Sequence, residues 1–398
     1  MIRVPFNCTG CHACVSACPN NCIAMVINKE GFPFPQINTS KCIQCNICDR
    51  ICPVTNEQVK STHTQAYGIR NKNETERRDS SSGGVFSLLA EQILVHGGVV
   101  FGAAYNDEFS AQHIAVRDKK DLSRLRNAKY TQSMIGNSFK EIETLLKSGR
   151  KVLFSGTPCQ CSGLKQFLRK EYDNLLLIDL ICHGVPSPKV WQMYINYRSL
   201  KENNGKRPVR INMRSKKSGW SHYGYSTEFD YGKGNITHIH NSEDLFMKAF
   251  VGNICLRKSC SSCVSKGIER CTDFTLGDYW GVWDQYPQLD DDKGTSIVFV
   301  HTEKGKKFLK QLDDKMDCIE VNIEEAYKEN TSLVISSKPH EKRKEFLAKA
   351  DTTNFQELVL EYFPPKKIKK GGIFEKVKGK AKVILMRNKR IIKMVLKL

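Results

Sequence analysis

The chain has 398 residues, 17 of them cysteine, and a formal net charge of +20. That length accommodates a small module and one or two larger domains with ample core, and no apolar run approaches the length of a membrane span. So many cysteines, with nothing resembling an export signal before the first, argue against a disulfide-built secreted domain and for metal chemistry in a reducing cytoplasm. The basic excess is concentrated: residues 366–398 carry 13 Lys and Arg against the single acid Glu375. Aromatic and basic residues are not interleaved in a recognisable nucleic-acid motif, which argues against nucleic acid as a partner.

The first element is a cysteine run written twice. Cys8, Cys11, Cys14 and Cys18 precede Pro19; Cys42, Cys45, Cys48 and Cys52 precede Pro53. Both copies show the C-x2-C-x2-C-x3-C-P spacing of bacterial two-cluster 4Fe-4S ferredoxins, in which the fourth cysteine serves the other cluster. Two-residue gaps let a tight loop wrap three thiolates about one cubane, while the fourth points away. The expected sets are Cys8, Cys11, Cys14 and Cys52 for one cluster, and Cys42, Cys45, Cys48 and Cys18 for the other. Structural zinc sites usually use separated C-x2-C pairs, and disulfides need an oxidising compartment. Between the runs, residues 23–27 and 32–37 flank Asn28-Lys-Glu-Gly31, a turn signal between two short strands.

A polar linker covers residues 55–64. Ser81-Ser82-Gly83-Gly84 then opens a helical pattern through Val85, Leu88, Leu89 and Ile93, and a buried-strand pattern follows at 97–102. A small-residue loop before a helix is either an anion site or an N-cap with a flexible turn. The middle of the chain is α/β in character. A strand at 152–154 ends in Ser155-Gly-Thr157-Pro-Cys159 and leads into a helix through Leu168. A strand at 175–180 ends in Ile181-Cys182-His183-Gly184. Carboxyl ends of neighbouring parallel strands are where such folds place ligands, so these two loops are expected side by side. Residues 223–240 read as antiparallel strands, and Cys260 and Cys263 follow as C-x2-C. With Cys159 and Cys182 they make four thiols from three loops, enough for a third cluster; half a zinc site or simple packing are the alternatives. Cys22, Cys161, Cys255, Cys271 and Cys318 are expected to be packing residues. The chain after Lys304 reads as helical and charged. Residues 382–398 form a basic amphipathic pattern whose apolar face suits its own protein, an anionic membrane surface or an acidic partner.

The ordered series Ser-Ser-Gly-Gly-Val-Phe, Gly-Thr-Pro-Cys-Gln, Asp-Leu-Ile-Cys-His-Gly-Val-Pro-Ser-Pro, Lys-Lys-Ser-Gly-Trp220 and Cys-x2-Cys before Thr-Leu-Gly-Asp-Tyr-Trp-Gly resembles the coenzyme F-420 hydrogenase/dehydrogenase beta-subunit family. The resemblance covers residues 1 to about 300. It implies FAD beside a 4Fe-4S cluster on Cys159, Cys182, Cys260 and Cys263. For FAD it points to Ser81, Ser82, Gly83, Gly84, Lys129, Tyr130, Ser133 and Thr157. His183 is the candidate catalytic residue, as a proton donor near FAD or a partner of a cluster sulfur; a histidine satisfied by a neighbouring carbonyl is the alternative. Asp278 and Trp280 are expected to shape the flavin pocket or to form a turn with a core tryptophan. Thiolate ligation in three clusters takes roughly 6 charge units from the body and leaves it near neutral.

The implied activity is an anaerobic, cytoplasmic iron–sulfur flavoprotein oxidoreductase. It passes electrons between ferredoxin or a deazaflavin and a substrate. The alternative is an electron-transfer subunit without its own substrate, feeding a partner enzyme. The expected fold is α+β: a two-cluster ferredoxin domain at 1–58, a flavin- and cluster-binding α/β core in two parts at 65–150 and 151–330, and a basic helical tail at 331–398.

Overall fold

The computed structural model describes residues 5, 7–56 and 59–365; the basic amphipathic pattern at 382–398 lies outside them. Helix α1 (Ala13–Ala17), strands β1 (Ile23–Ile27) and β2 (Pro33–Ile37) and helix α2 (Ile47–Arg50) form a small module. β1 and β2 pair antiparallel, with Ile23 opposite Ile37 and Ile27 opposite Pro33. The turn residues set this hairpin: Asn28 Oδ1 accepts from Phe32 N at 2.9 Å, and Gly31 sits at φ +85°, a conformation glycine adopts without strain.

Strands β3 (Gln65–Asn71), β4 (Val99–Tyr105), β5 (Ala111–Val116), β6 (Val152–Ser155) and β7 (Leu175–Leu180) follow. After them come β8 (Arg210–Ser215), β9 (Ser226–Asp230) and β10 (Ile236–His240), then β11 (Phe274–Asp278), β12 (Ser296–Val300) and β13 (Met316–Val321). The main sheet runs β13-β3-β12-β11-β7-β6-β4-β5, and a second sheet runs β10-β9-β8. β11, β7, β6 and β4 are mutually parallel at the centre of the main sheet. Because Val99 of β4 pairs with Val152 of β6, residues 65–150 and 151–330 share one sheet.

The central strands read as continuous apolar runs because helices cover both of their faces. Helices α3 (Glu74–Arg78), α4 (Val85–Val95), α5 (Ser138–Lys147), α6 (Pro158–Leu168), α7 (Pro188–Asn203) and α8 (Leu245–Val251) lie in the same region of the chain. Side chains alternate across a strand with period two. Val100, Leu153, Leu176 and Ile178 therefore cluster with Leu88, Leu89 and Ile93 of α4, while Val99, Phe101, Val152, Phe154 and Leu177 cluster with Phe139 of α5 and Leu164 of α6. Each buried side chain of this size contributes about 1.5–3 kcal/mol. Among the described residues no helix is long and apolar enough to cross a membrane.

Three observations differ from the sequence expectations. The charged stretch after Lys304 is not helical throughout: residues 316–321 form β13, antiparallel to β3 from Met316 opposite Asn71 to Val321 opposite Ala66, so tertiary pairing overrides the local charge pattern. The segment expected to begin a tail at 331 packs into the molecule. Phe346, Leu347, Phe355, Leu358 and Val359 share a core with Trp191, Tyr194 and Phe246. Cys318 does not pack: it is exposed in β13, like Glu320 two residues on. Cys22, Cys161 and Cys255 are buried and Cys271 is half-buried.

The module is fastened to the core at its hairpin turn. Arg343 holds Glu30 with two nitrogens, at 3.0 and 2.7 Å, and Ser187 Oγ donates to Glu30 O at 2.5 Å. Such a bidentate guanidinium–carboxylate pair fixes orientation as well as position. A Cβ at Gly31 would stand 2.5 Å from Lys189 Cβ, so the close approach itself requires glycine.

Candidate functional site

The structure sorts the first eight cysteines into two sets. A chamber of about 20 Å³ is lined by Cys8, Cys11, Cys14 and Cys52, and another of about 20 Å³ by Cys18, Cys42, Cys45 and Cys48. The fourth cysteine of each run thus joins the other run's loop, because α1 and α2 carry it away from its own. Cys22 also lines the second chamber, its Sγ 3.3 Å from Cys18 Sγ. Each set has one buried cysteine, Cys11 or Cys18, and three half-buried ones, but the loops that carry them differ. Thr9 to Ala13 are buried, whereas Ile43, Gln44 and Asn46 are exposed, Ile43 at 60%.

The first set abuts the core. Cys11 lies against Gly163 of α6, where a Cβ would stand 2.9 Å from Cys11 Cβ and 3.0 Å from its Sγ. Beyond Gly163 lies the third group. Cys159 lies in the first turn of α6, Cys182 follows β7, Cys260 lies in a 3-10 turn (Lys258–Ser262) and Cys263 follows it. Their thiols perturb one another: Cys159 feels Cys263, Cys182 and Cys11, and Cys182 feels Cys260 and Cys263. Burial raises the Cys159, Cys182 and Cys260 thiols, Cys182 to about 12 and Cys260 to about 11, and pushes Cys11 up to about 12 as well. Thiols held protonated in this way release protons when they ligate metal. Among the described residues no three His, Cys, Asp or Glu side chains converge closely enough to share one metal ion. The first eight thiols ring two small chambers instead, and backbone N–H groups point at sulfur in all three sets: Gly10 N to Cys8 at 3.4 Å, Cys22 N to Cys18 at 3.3 Å, Val185 N to Cys260 at 3.4 Å. Such bonds are among the features that tune cluster potentials, and the donor sets fit 4Fe-4S clusters.

Next to Cys159 and Cys182 opens a cavity of about 990 Å³. It lies at the carboxyl ends of the parallel strands, with walls from Ser155–Thr157 after β6, 180–183 after β7 and 276–278 of β11. This is where an open α/β sheet leaves room for a ligand. The expected residues Ser81, Ser82, Gly84, Lys129, Tyr130, Ser133, Thr157 and His183 all line it, as do Asp278 and Trp280. Gly83 does not line it. It packs on the sheet, its N donating to Ser296 Oγ at 2.9 Å, with no space for a Cβ against Ile69 O. Ser82 Oγ is likewise committed to Thr295 O at 2.8 Å, and Ser81 Oγ accepts from Ala128 N at 2.8 Å. These serines hold the loop over the amino end of α4.

Lys129 stands in the cavity wall. Its Nζ donates to Arg126 O at 2.6 Å and Asn127 O at 3.1 Å, and burial lowers its pKa to about 7. Tyr130 OH accepts from Arg214 Nη1 at 3.0 Å. Ser133 Oγ contacts His113 Nδ1 at 3.2 Å and accepts from Gln160 Nε2 at 3.0 Å. Thr157 N and Oγ1 both donate to Gln160 Oε1 at 3.0 Å. His183 uses both ring nitrogens: Nε2 lies 2.6 Å from Asn253 Oδ1 and Nδ1 3.4 Å from Ser332 Oγ. Asn253 Nδ2 donates to Lys338 O at 2.9 Å, which turns its oxygen toward the imidazole and makes Nε2 the protonated nitrogen. Desolvation lowers the pKa of His183.

Sequence reasoning missed Arg214. It is 3% exposed, donates to Asp278 Oδ1 at 3.0 Å, and stacks 3.8 Å from the Tyr225 ring centroid. Asp278 also accepts from Trp220 Nε1 at 3.1 Å. Nothing local marks an arginine in a strand as buried; its partners come from three other segments. Four buried polar atoms on cavity-lining residues lack a hydrogen-bond partner: Thr9 Oγ1, Asn127 Oδ1, Thr131 Oγ1 and Arg214 Nε. Buried polar groups are ordinarily satisfied, so this wall suits a polar ligand. The volume reaches the top of the range for small-molecule sites, and a dinucleotide cofactor fits it.

Residues 149–326 match the family model for the C terminus of the coenzyme F420 hydrogenase/dehydrogenase beta subunit, and residues 7–56 match that of a 4Fe-4S dicluster domain. A comparison with curated proteins finds no match. Among solved structures, a chain of the F420-reducing NiFe hydrogenase complex from Methanosarcina barkeri is similar. It is 17% identical, with 76% of this chain and 92% of that chain covered at a TM-score of 0.45. With its paired cysteine runs and α/β core, the chain thus combines a 4Fe-4S dicluster domain at residues 7–56 with a core whose residues 149–326 are similar to the C terminus of the coenzyme F420 hydrogenase/dehydrogenase beta subunit.

Proposed function

We propose that the chain is an iron–sulfur flavoprotein oxidoreductase of a reducing cytoplasm. In this reading it carries electrons between a one-electron partner at its surface and a substrate in the cavity. The observation that carries the reading is the order of the sites. The set of Cys18, Cys42, Cys45 and Cys48, whose loop exposes Ile43, Gln44 and Asn46, is outermost; that of Cys8, Cys11, Cys14 and Cys52 abuts α6; that of Cys159, Cys182, Cys260 and Cys263 borders the cavity through Cys159 and Cys182. Clusters on these sets supply single electrons, and FAD in the cavity exchanges them for the pairs that organic substrates accept.

The chain's own residues do the placing. The amino ends of α4 and α6 turn backbone N–H groups toward the cavity, and Arg214 brings positive charge, as an anionic cofactor requires. Thr9, Asn127 and Thr131 offer their free oxygens to it. His183, neutral and carrying its proton on Nε2, is assigned to proton handling at the cavity wall; releasing that proton requires Asn253 to let go. A ferredoxin meets the exposed loop at residues 42–48, and a deazaflavin is the proposed small-molecule partner at the cavity.

Anaerobic purification with quantified iron, acid-labile sulfide and released flavin tests this. About twelve irons and one FAD per chain are expected. About eight irons and no flavin would overturn the core assignment and leave an electron shuttle for a partner enzyme.

A further inference from the structure

Arg257 is 2% exposed, and its guanidinium lies between the first cysteine loop and the core. Nε donates to Cys8 O at 2.8 Å and Nη1 to Gln132 Oε1 at 2.9 Å, while Gln132 Nε2 donates to Thr9 O at 3.0 Å. Its backbone holds the other side. Arg257 N donates to Val185 O at 2.9 Å, and Arg257 O accepts from Cys260 N at 3.0 Å. The Phe34 ring covers the guanidinium at 4.2 Å. Nη2 is buried without a hydrogen-bond partner. A Cβ on Gly10 would stand 3.1 Å from Nη1, so the first loop is shaped to admit this side chain.

A buried cation is costly unless negative charge faces it. The groups that act on Arg257 are thiols: Cys8 first, then Cys260 and Cys159. The first belongs to one candidate cluster, the other two to the next. Lys266 provides a contrast, since its thiol neighbours Cys182, Cys263 and Cys260 all belong to the core set.

Resting on the three-cluster reading, we propose that Arg257 is a positioning residue whose single charge raises the reduction potentials of both the Cys8 and the Cys159 cluster. Reduction adds one electron to a cluster, and a nearby cation in a low-dielectric interior favours the reduced form. Lifting both sites together keeps them matched to each other. It also tilts the step from the outermost set inward, so an electron given up by a ferredoxin is drawn toward the cavity.

The test is an EPR-monitored redox titration of the anaerobically purified full chain, comparing wild type with Arg257→Gln, Arg257→Lys and Lys266→Gln. Arg257→Gln is expected to lower two of three midpoint potentials, each by about tenfold in the reduction equilibrium, which is about 59 mV for one electron. The third potential stays in place. Arg257→Lys keeps the charge and recovers most of the loss, and Lys266→Gln lowers one potential only. If Arg257→Gln assembles no clusters, Gln132→Glu takes its place: a carboxylate against the guanidinium lowers the same two potentials. Three clusters with unmoved potentials, an equal fall in all three, or a loss in Arg257→Lys as large as in Arg257→Gln would overturn the assignment. A wild-type protein with two clusters would overturn the three-cluster reading and this inference together, a result distinct from three clusters that ignore Arg257.

Discussion

Gly163 is where the ferredoxin module meets the core, and Gly163→Ala sets two measurable effects against each other. Within a helix, alanine is favoured over glycine by about 1 kcal/mol. Against that, the added Cβ would stand 2.9 Å from Cys11 Cβ and 3.0 Å from Cys11 Sγ, well inside the separation of about 3.5–4.0 Å at which carbon atoms attract. Overpacking of this kind costs about 1–3 kcal/mol. Cys11 is 8% exposed and follows Gly10 at φ +69°, so no flexible side chain can absorb the methyl; the loop must move. The net change expected is a loss of about 1 kcal/mol, modest for the whole protein but concentrated on one thiol set. Anaerobic denaturant unfolding reads the first quantity, and iron content with the EPR signal of the Cys8 cluster reads the second. A variant more stable than wild type by about 1 kcal/mol, with every cluster signal unchanged, would refute the contact and the docking built on it.

Two further predictions concern the cavity. Arg214→Met leaves half-buried Asp278 without its cation; breaking a fully buried pair costs about 3–5 kcal/mol, so a loss of about 2–3 kcal/mol is expected for this one, and flavin per chain should fall with it. Urea unfolding and released-flavin assays check this, and a loss under about 1 kcal/mol would contradict the clamp. Burial lowers Lys129 to about 7, against about 10.4 in an unfolded chain. Between those values the unfolded chain binds the proton and the native one does not, so this group makes native stability rise with pH from about 7 to about 10.4. Lys216 is lowered to about 7 as well, so Lys129→Met should flatten the rise without abolishing it. An unchanged pH profile of unfolding would show that Lys129 keeps its proton.

The cysteine runs were legible because cluster ligation dictates spacing along the chain. Their crossed grouping follows once α1 and α2 carry Cys18 and Cys52 away from their own loops. The side-by-side loops after β6 and β7 were legible for a similar reason, since each strand ends in a short run of Gly, Pro and Cys. What the sequence withheld are residues whose role depends on partners far along the chain. Arg214 becomes a cavity cation only through Tyr130, Tyr225 and Asp278. Arg257 stands three residues before Cys260, a local signal, yet its reach to Cys8 is purely tertiary. The Ser81–Gly84 loop was identifiable as a loop, but its pattern did not tell that Ser82 and Gly83 face the sheet rather than the cavity. β13 and the exposed Cys318 were hidden because Met-Asp-Cys-Ile-Glu-Val has no strict alternation, and the strand is set by its pairing with β3.

The central claim is that electrons reach the cavity through the thiol set on the exposed loop at residues 42–48. Stopped-flow reduction of the flavin by reduced ferredoxin, in wild type and in Cys42→Ala, tests it most directly. With the outermost cluster gone and the flavin retained, the rate should fall by about tenfold or more, a barrier increase of at least about 1.4 kcal/mol. An equal rate in the two proteins would mean that ferredoxin delivers electrons elsewhere, and the proposed order of sites would be wrong.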